Sequence, residues 1–207
     1  MRALVETCRT VWKIARTAGM GLIAGLAVLG SDAAMAQSQS LAPGMVIALP
    51  GTTAASEPDL VGPSATYKHP FSIHTPAGVL VCSGWLELMI VRSSSTHLFH
   101  FYYRILKTSG PGALSRFTTS GFGLLSLTVA YRHDLALGVR PPAAFRGLFG
   151  DPIGFPFDPP LSCAAGQWTD WVLVKPHNAD QVYCCAATDI FATTGDWTYT
   201  KTWKAVH

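Results

Sequence analysis

The sequence lacks the short motifs that identify the common catalytic and nucleotide-binding classes. It contains no GxSxG nucleophile elbow, no HExxH, no phosphate-binding P-loop, no GxGxxG and no EF-hand loop. Glutamate is also scarce, since only Glu57 and Glu87 occur after residue 36. Glycoside hydrolysis needs a pair of carboxylates, yet Glu57 lies in a leader-like segment and Glu87 is predicted on the solvent side of a strand. We therefore expect a protein that is not an enzyme and holds no cofactor.

A run of lysine and arginine is missing as well. The chain has 15 basic and 12 acidic residues and a formal net charge of +3. Residues 1–36 hold four of the basic and two of the acidic residues, which leaves 11 and 10 in the remainder. A nearly neutral chain without a basic stripe argues against nucleic acid as a partner.

The first 36 residues have the three-part pattern of a secretory signal peptide. Residues 1–16 carry the positive charge, residues 18–30 are uncharged and apolar, and Ala34-Met35-Ala36 fits the small-x-small cleavage pattern. The apolar stretch is shorter than the roughly 20 residues that span a bilayer, which argues against a membrane anchor. We predict a signal peptide helix cleaved after about Ala36, a secreted or periplasmic protein, and membrane contact only during export.

Four cysteines remain after the predicted cleavage site: Cys82, Cys163, Cys184 and Cys185. An even count in an oxidising compartment predicts disulfides, and four cysteines allow three pairings. Neighbouring residues of a strand point to opposite faces, so a bridge between Cys184 and Cys185 would be strained. We therefore expect one or both of them to reach Cys82 or Cys163. A metal site is disfavoured because the chain lacks a CxxC pair and a histidine at ligand spacing.

The histidines form no convincing chelating or catalytic group. His97 and His100 lie three apart in a predicted strand, and this spacing places them on opposite faces. His69 and His74 occupy a loop-like segment in which nothing supplies a third ligand. His133-Asp134 could belong to a hydrolytic triad, but no nucleophile accompanies it.

From about residue 67 the apolar residues recur with the period of β-strands. Residues 79–91 are apolar on both faces, which is typical of a central strand. Residues 96–106 and 125–131 alternate between apolar and polar positions. Glycine and proline interrupt every helical spacing after residue 36. These patterns predict an all-β protein with an antiparallel β-sandwich, jelly-roll-like or Ig-like, over residues 67–207. Residues 37–66 are predicted to be a flexible leader with room for one edge strand.

The aromatic residues provide the one candidate ligand surface. Trp85 and Trp171 lie inside apolar strands and are predicted to belong to the core. Trp197, Tyr199 and Trp203 share one parity, and hence one face, of a predicted C-terminal strand. An exposed row of this kind would stack on sugar rings; the alternative is a face packed against the sandwich.

Ordered features between about Gly84 and Ala192 resemble a group of bacterial exported β-domains found in proteins with PEP-CTERM-type sorting tails. They comprise Ser83-Gly84-Trp85-Leu86, Phe99–Ile105, Ser115-Arg116-Phe117, Val129–Asp134, Gly154–Phe157 and Asn178-Ala179. The resemblance implies an exported β-sandwich of uncharacterised role. The chain ends in Val206-His207 without a Pro-Glu-Pro tail, so the sorting mechanism does not carry over, and its four cysteines are an addition to the family pattern.

The expected function is that of a non-catalytic structural or binding module at or outside the cell envelope. Its expected partner is a glycan or an envelope protein. The alternative function is a carbohydrate-binding or glycan-hydrolysing domain.

Overall fold

The computed structural model describes residues 37–53, 65–132, 138–164, 166–179 and 181–206. For residues 65, 107, 181–185 and 203–206 it describes the backbone alone. The predicted signal peptide and the His133-Asp134 pair lie outside the described residues, as does Glu57. Within them, no helix has the length and hydropathy to cross a membrane.

The described part of the chain folds into β-strands joined by turns and loops. The strands are β1 (Gln39–Ser40), β2 (Val46–Ala48), β3 (Gly51–Thr52), β4 (Ala65–His74), β5 (Leu80–Arg92), β6 (Phe99–Ser109), β7 (Ala113–Thr119), β8 (Leu127–Arg132), β9 (Ala143–Arg146), β10 (Ile153–Ser162), β11 (Val172–Pro176), β12 (Gln181–Ala192) and β13 (Trp197–Val206).

These strands form two sheets that pack face to face. The first sheet has the order β1-β8-β11-β6-β5-β4, with β3 beside β8, and the second has the order β13-β12-β7-β10-β9-β2. Every pairing between named strands is antiparallel except that of β3 with β8. The predicted antiparallel β-sandwich is therefore confirmed, and β5 lies inside its sheet as predicted.

The inner faces of the two sheets form the core that the alternating pattern predicted. On β6 the side chains of Phe101, Tyr103 and Ile105 are fully buried. Tyr103 lies against Phe117 of the opposite sheet, with ring centroids 6.4 Å apart. Phe117 in turn stacks on Phe155 of β10 at 5.0 Å. Aromatic side chains thus fill the space between the sheets, where each removes a large apolar area from water.

A disulfide between Cys82 and Cys163 ties the two sheets together. Cys82 lies on β5 of the first sheet, and Cys163 directly follows β10 of the second; neither is exposed. The predicted disulfide is present, but the expected partners were wrong, because these two cysteines pair with each other. The Cys184 and Cys185 side chains lie outside the described atoms, although their backbone forms part of β12 at a register shift. A buried disulfide of this kind suggests an oxidising, extracytoplasmic environment.

Two predictions about the outer face of the first sheet were wrong. Glu87 is buried, because Lys68 Nζ lies 3.3 Å from one carboxylate oxygen and Arg104 Nε donates to the other at 2.5 Å. Trp85, predicted in the core, is 41% exposed on the same face. Trp171 is buried as predicted, with the Arg104 guanidinium 4.2 Å from its ring centroid. Ion pairing across neighbouring strands therefore replaces the expected solvation of Glu87.

The histidines are placed differently from the sequence prediction. His69 and His74 belong to β4, an edge strand, where a spacing of five puts them on opposite faces. His97 precedes β6 in an exposed turn with a positive φ of 61°, whereas His100 is buried on the strand. Among the described residues, no three His, Cys, Asp or Glu side chains gather as a metal ion would require.

The predicted leader contributes more than one strand. Residues 37–53 form β1, β2 and β3, which lie at the edges of both sheets. Leu41, Ile47 and Leu49 from this segment are buried in the core. The segment is therefore part of the sandwich.

Candidate functional site

The predicted ligand face lies on the hairpin that β12 and β13 form at the edge of the second sheet. A tight turn joins the strands, in which the Ala192 amide donates to the Asp196 carbonyl and Gly195 has a φ of 90°. The Thr194 hydroxyl donates to the Asp196 carboxylate at 2.8 Å. A positive φ is accessible to glycine at no steric cost, so the sequence at this turn suits the hairpin.

Register within this hairpin builds a row of aromatic rings. Phe191 pairs directly with Trp197, and their rings stack at 6.1 Å between centroids and an interplanar angle of 25°. Trp197 lies next to Tyr199 on the same face of β13, with centroids 6.4 Å apart. Trp197 is 55% and Tyr199 60% exposed. We call these three side chains the aromatic strip.

Charged and polar groups border the aromatic strip. Arg116 on β7 pairs with Phe191, and its guanidinium carbon lies 4.2 Å from the Phe191 ring centroid. Asp189 pairs with Tyr199 on one side and with Thr118 on the other. The Thr118 hydroxyl donates to the Asp189 carboxylate at 3.4 Å. Burial raises the pKa of Asp189, and the hydrogen bond from Thr118 opposes this rise.

This arrangement can bind a ligand that has both flat apolar faces and hydroxyl groups. Half-exposed rings offer dispersion contact and apolar area to a flat partner, while the neighbouring guanidinium and carboxylate can hydrogen-bond to hydroxyls. Hydrolysis of a glycosidic bond would need two carboxyl groups about 5–10 Å apart. Asp189 is the single carboxylate within the strands β7, β12 and β13, and Asp196 lies in the turn before Trp197.

Two residues of the predicted face are thus present in the site, and the structure adds three more. Trp197 and Tyr199 lie on one face, as the parity of the strand indicated, and both are exposed, which excludes the alternative of a packed face for these two. The backbone of Trp203 continues β13, but its side chain lies outside the described atoms. Phe191, Asp189 and Arg116 were missed, because their positions depend on the pairing of β12 with its neighbours.

Comparisons with known protein families, curated proteins and solved structures give no match. The fold and the aromatic strip by themselves describe an all-β sandwich with an exposed aromatic surface.

Proposed function

We propose that this protein is an exported, non-catalytic binding module that holds a glycan on its aromatic strip. The observation that carries the proposal is the exposure of Trp197 and Tyr199 in one continuous row with Phe191. The proposed route to its place of action is the signal peptide cleaved after about Ala36, and the buried disulfide supports an oxidising destination.

Large aromatic rings that stay exposed to water forgo the free energy that their burial would gain. This supports a role for the aromatic strip as a contact surface. Burial of each such side chain would gain roughly 1.5–3 kcal/mol from the hydrophobic effect. The apolar face of a sugar ring can cover an aromatic ring, while Arg116 and Asp189 lie within the same face to hydrogen-bond to its hydroxyls. Asp189 is the single carboxylate within the three strands of this face, which favours binding over a hydrolysis that uses two carboxylates.

A glycan and cell-wall binding screen on the exported protein tests this proposal. We expect at least one polysaccharide or cell-wall fraction to be retained, and we expect Trp197→Ala and Tyr199→Ala each to weaken its binding about tenfold, or ~1.4 kcal/mol. Trp85→Ala is the matched control, because it removes a comparably exposed tryptophan from the opposite sheet. Its affinity should equal that of the wild-type protein.

Two outcomes would refute the glycan proposal. The first is a screen in which no polysaccharide or cell-wall fraction binds above background. The second is binding that survives the double substitution of Trp197 and Tyr199 by alanine, which would place the ligand elsewhere on the protein. Circular dichroism of each variant verifies that the fold is retained.

A further inference from the structure

A second apolar surface lies at one end of the sandwich, away from the aromatic strip. Among the described residues, the most exposed large apolar side chains include Phe149 at 87%, Leu148 at 78% and Leu124 at 78%. Met45 and Val46 are exposed beside them. These five side chains, which we call the loop-tip cluster, lie on three segments: the one that leads into the first residue of β2, the one between β7 and β8, and the one between β9 and β10.

The three segments touch one another and form one continuous surface. The Gly44 amide donates to the Arg146 and Gly147 carbonyls at 3.1 and 3.2 Å. A Cβ atom at Gly44 would lie 3.0 Å from Leu148, and one at Gly150 would lie only 1.8 Å from the Gly123 carbonyl oxygen. Glycine is therefore required at residue 150 for the second and third segments to meet.

A buried arginine holds these segments in place. Arg146 is 3% exposed, and its guanidinium donates to four carbonyl oxygens at 2.7–2.8 Å. These acceptors lie on all three segments: Leu41, Gly123, Leu125 and Gly150. Burial lowers the pKa of Arg146, and the charge of Asp151 opposes that change.

The carboxylate of Asp151 also holds the loop between β7 and β8 in place. Asp151 accepts hydrogen bonds from the amides of Gly121, Phe122 and Gly123 at 3.0–3.2 Å. Phe122 points into the core, where its ring meets Phe101 edge-on at 5.3 Å. Leu124 is thus presented to the outside by a loop in which the amides of residues 121–123 and the carbonyls of Gly123 and Leu125 have partners within the protein.

Internal pairing of backbone groups is what an apolar environment demands. In a loop that faces water, backbone amides and carbonyls can hydrogen-bond to solvent. In a loop that enters hydrocarbon, each unpaired amide or carbonyl costs several kcal/mol of free energy. The loop-tip cluster therefore combines protruding apolar side chains with flanking backbone groups that are already paired within the protein.

Three basic side chains lie at this end of the sandwich: Arg92, Lys175 and Lys201, the last of which pairs with Ala187 beside Ser120. Lys175 pairs with Thr128 at the start of β8, and the His177 amide donates to the Ser126 carbonyl next to the cluster. Arg92 ends β5 at the same end of the first sheet, since it pairs with Phe99 and the Phe99 amide donates to the Ala179 carbonyl. Two described carboxylates lie at this end: Asp151, whose oxygens accept hydrogen bonds from three amides, and the half-buried Asp189, which pairs with Thr118 near the end of β7.

We propose that the loop-tip cluster docks the exported protein onto an anionic lipid surface, with Leu124, Leu148 and Phe149 entering the interfacial layer. The proposal goes beyond glycan binding and uses none of the residues of the aromatic strip. Apolar insertion together with attraction between basic side chains and anionic headgroups is the general basis of peripheral membrane binding. A second copy of the chain is a poorer occupant, because a stable interface buries about 1,200–2,000 Å² and the cluster consists of three loop tips. The sequence had predicted membrane contact during export alone.

Vesicle cosedimentation tests the proposal. The full chain is expressed in an exporting host, and the recovered protein is mixed with vesicles of phosphatidylcholine, with and without phosphatidylglycerol. We expect binding to the anionic vesicles and at least about a tenfold loss of it for Leu148→Ser/Phe149→Ser, because each of these side chains can bury most of its area. The control variant Trp197→Ala/Tyr199→Ala should bind vesicles like the wild-type protein.

A second variant, Leu124→Ser, changes a different loop of the same cluster and should also weaken vesicle binding. Agreement between the two variants excludes local misfolding of one loop as the cause. Equal melting temperatures of all variants are expected, because the substituted side chains are largely exposed. Wild-type protein that binds neither vesicle type would overturn the proposal, as would equal vesicle binding by all variants. A wild-type dimer that the tip substitutions dissociate, without vesicle binding, would assign the surface to a second copy and also overturn it. Failure of the glycan screen would leave this result unaffected, because the two surfaces share no residue.

Discussion

Replacement of Arg146 by methionine should destabilise the protein by about 3 kcal/mol. The substitution keeps an unbranched side chain of similar length but removes all the donors that serve four backbone carbonyls. Two of these acceptors, on Leu41 and Gly150, belong to buried residues, and each buried acceptor left without a partner costs about 1–3 kcal/mol. The carbonyls of Gly123 and Leu125 lie nearer to solvent and can be hydrated. Methionine carries no charge, so the variant avoids the free-energy cost of burying the guanidinium, and this gain offsets part of the destabilisation.

Urea unfolding at constant pH measures this loss as a lower midpoint with an unchanged m-value. Arg146→Lys should lose most of the same stability, because an ammonium group has three donors on one atom and cannot span four separate carbonyls. Lys201→Met is the control, since it removes an exposed cation of the same protein and should shift the stability by less than about 0.5 kcal/mol. A loss below about 1 kcal/mol for Arg146→Met would refute the assignment of Arg146 as the support of the three loops.

Two further predictions concern the disulfide and a carboxylate. Cys82→Ala/Cys163→Ala should lower the free energy of unfolding by about 3–5 kcal/mol, because the bridge closes a sequence separation of 81 residues; an equal melting temperature for the wild-type and variant proteins would contradict this. Burial raises the pKa of the Asp189 carboxyl in the folded protein above its value in the unfolded chain. The contribution of Asp189 to stability is therefore greatest below the unfolded pKa and is lost as the pH rises through the folded pKa. Asp189→Asn should therefore raise the melting temperature at neutral pH but not in acid. Melting curves of both proteins between acid and neutral pH measure this, and an equal difference at every pH would contradict the prediction.

The inner faces of the sandwich could be predicted because they follow from a local rule. Phe101, Tyr103 and Ile105 occupy alternate positions, and a strand with a period of two must bury one of its faces. The rule says nothing of the other face. Glu87 was placed in solvent because its ion-pair partners, Lys68 and Arg104, lie on neighbouring strands. Their positions depend on a register that no single strand encodes.

The same limit applies to the two surfaces. Trp197 and Tyr199 could be found from the parity of one strand, whereas Phe191 joins them only through the pairing of β12 with β13. Arg146 and Asp151 act on backbone groups far away in the chain, such as the Leu41 carbonyl 105 residues earlier. Every residue has a backbone carbonyl, so the composition and spacing of the sequence cannot indicate which carbonyls Arg146 will contact. The pairing of Cys82 with Cys163 was missed for a similar reason, since it reflects how the two sheets face each other.

The separation of the two surfaces has a direct consequence for how the protein can act. Trp197 and Phe191 lie beside the β12–β13 turn, at the end of the second sheet where β7 begins. The loop-tip cluster lies where β7 ends, since residues 120–126 follow it directly. The β12–β13 turn and the loop-tip cluster thus lie at opposite ends of β7, with Asp189 and Tyr199 between them opposite Thr118, and the two surfaces share no residue. Because distant sites contribute independently, substitutions in either surface serve as controls for the other, and the double variant should lose both activities by the sum of the separate effects.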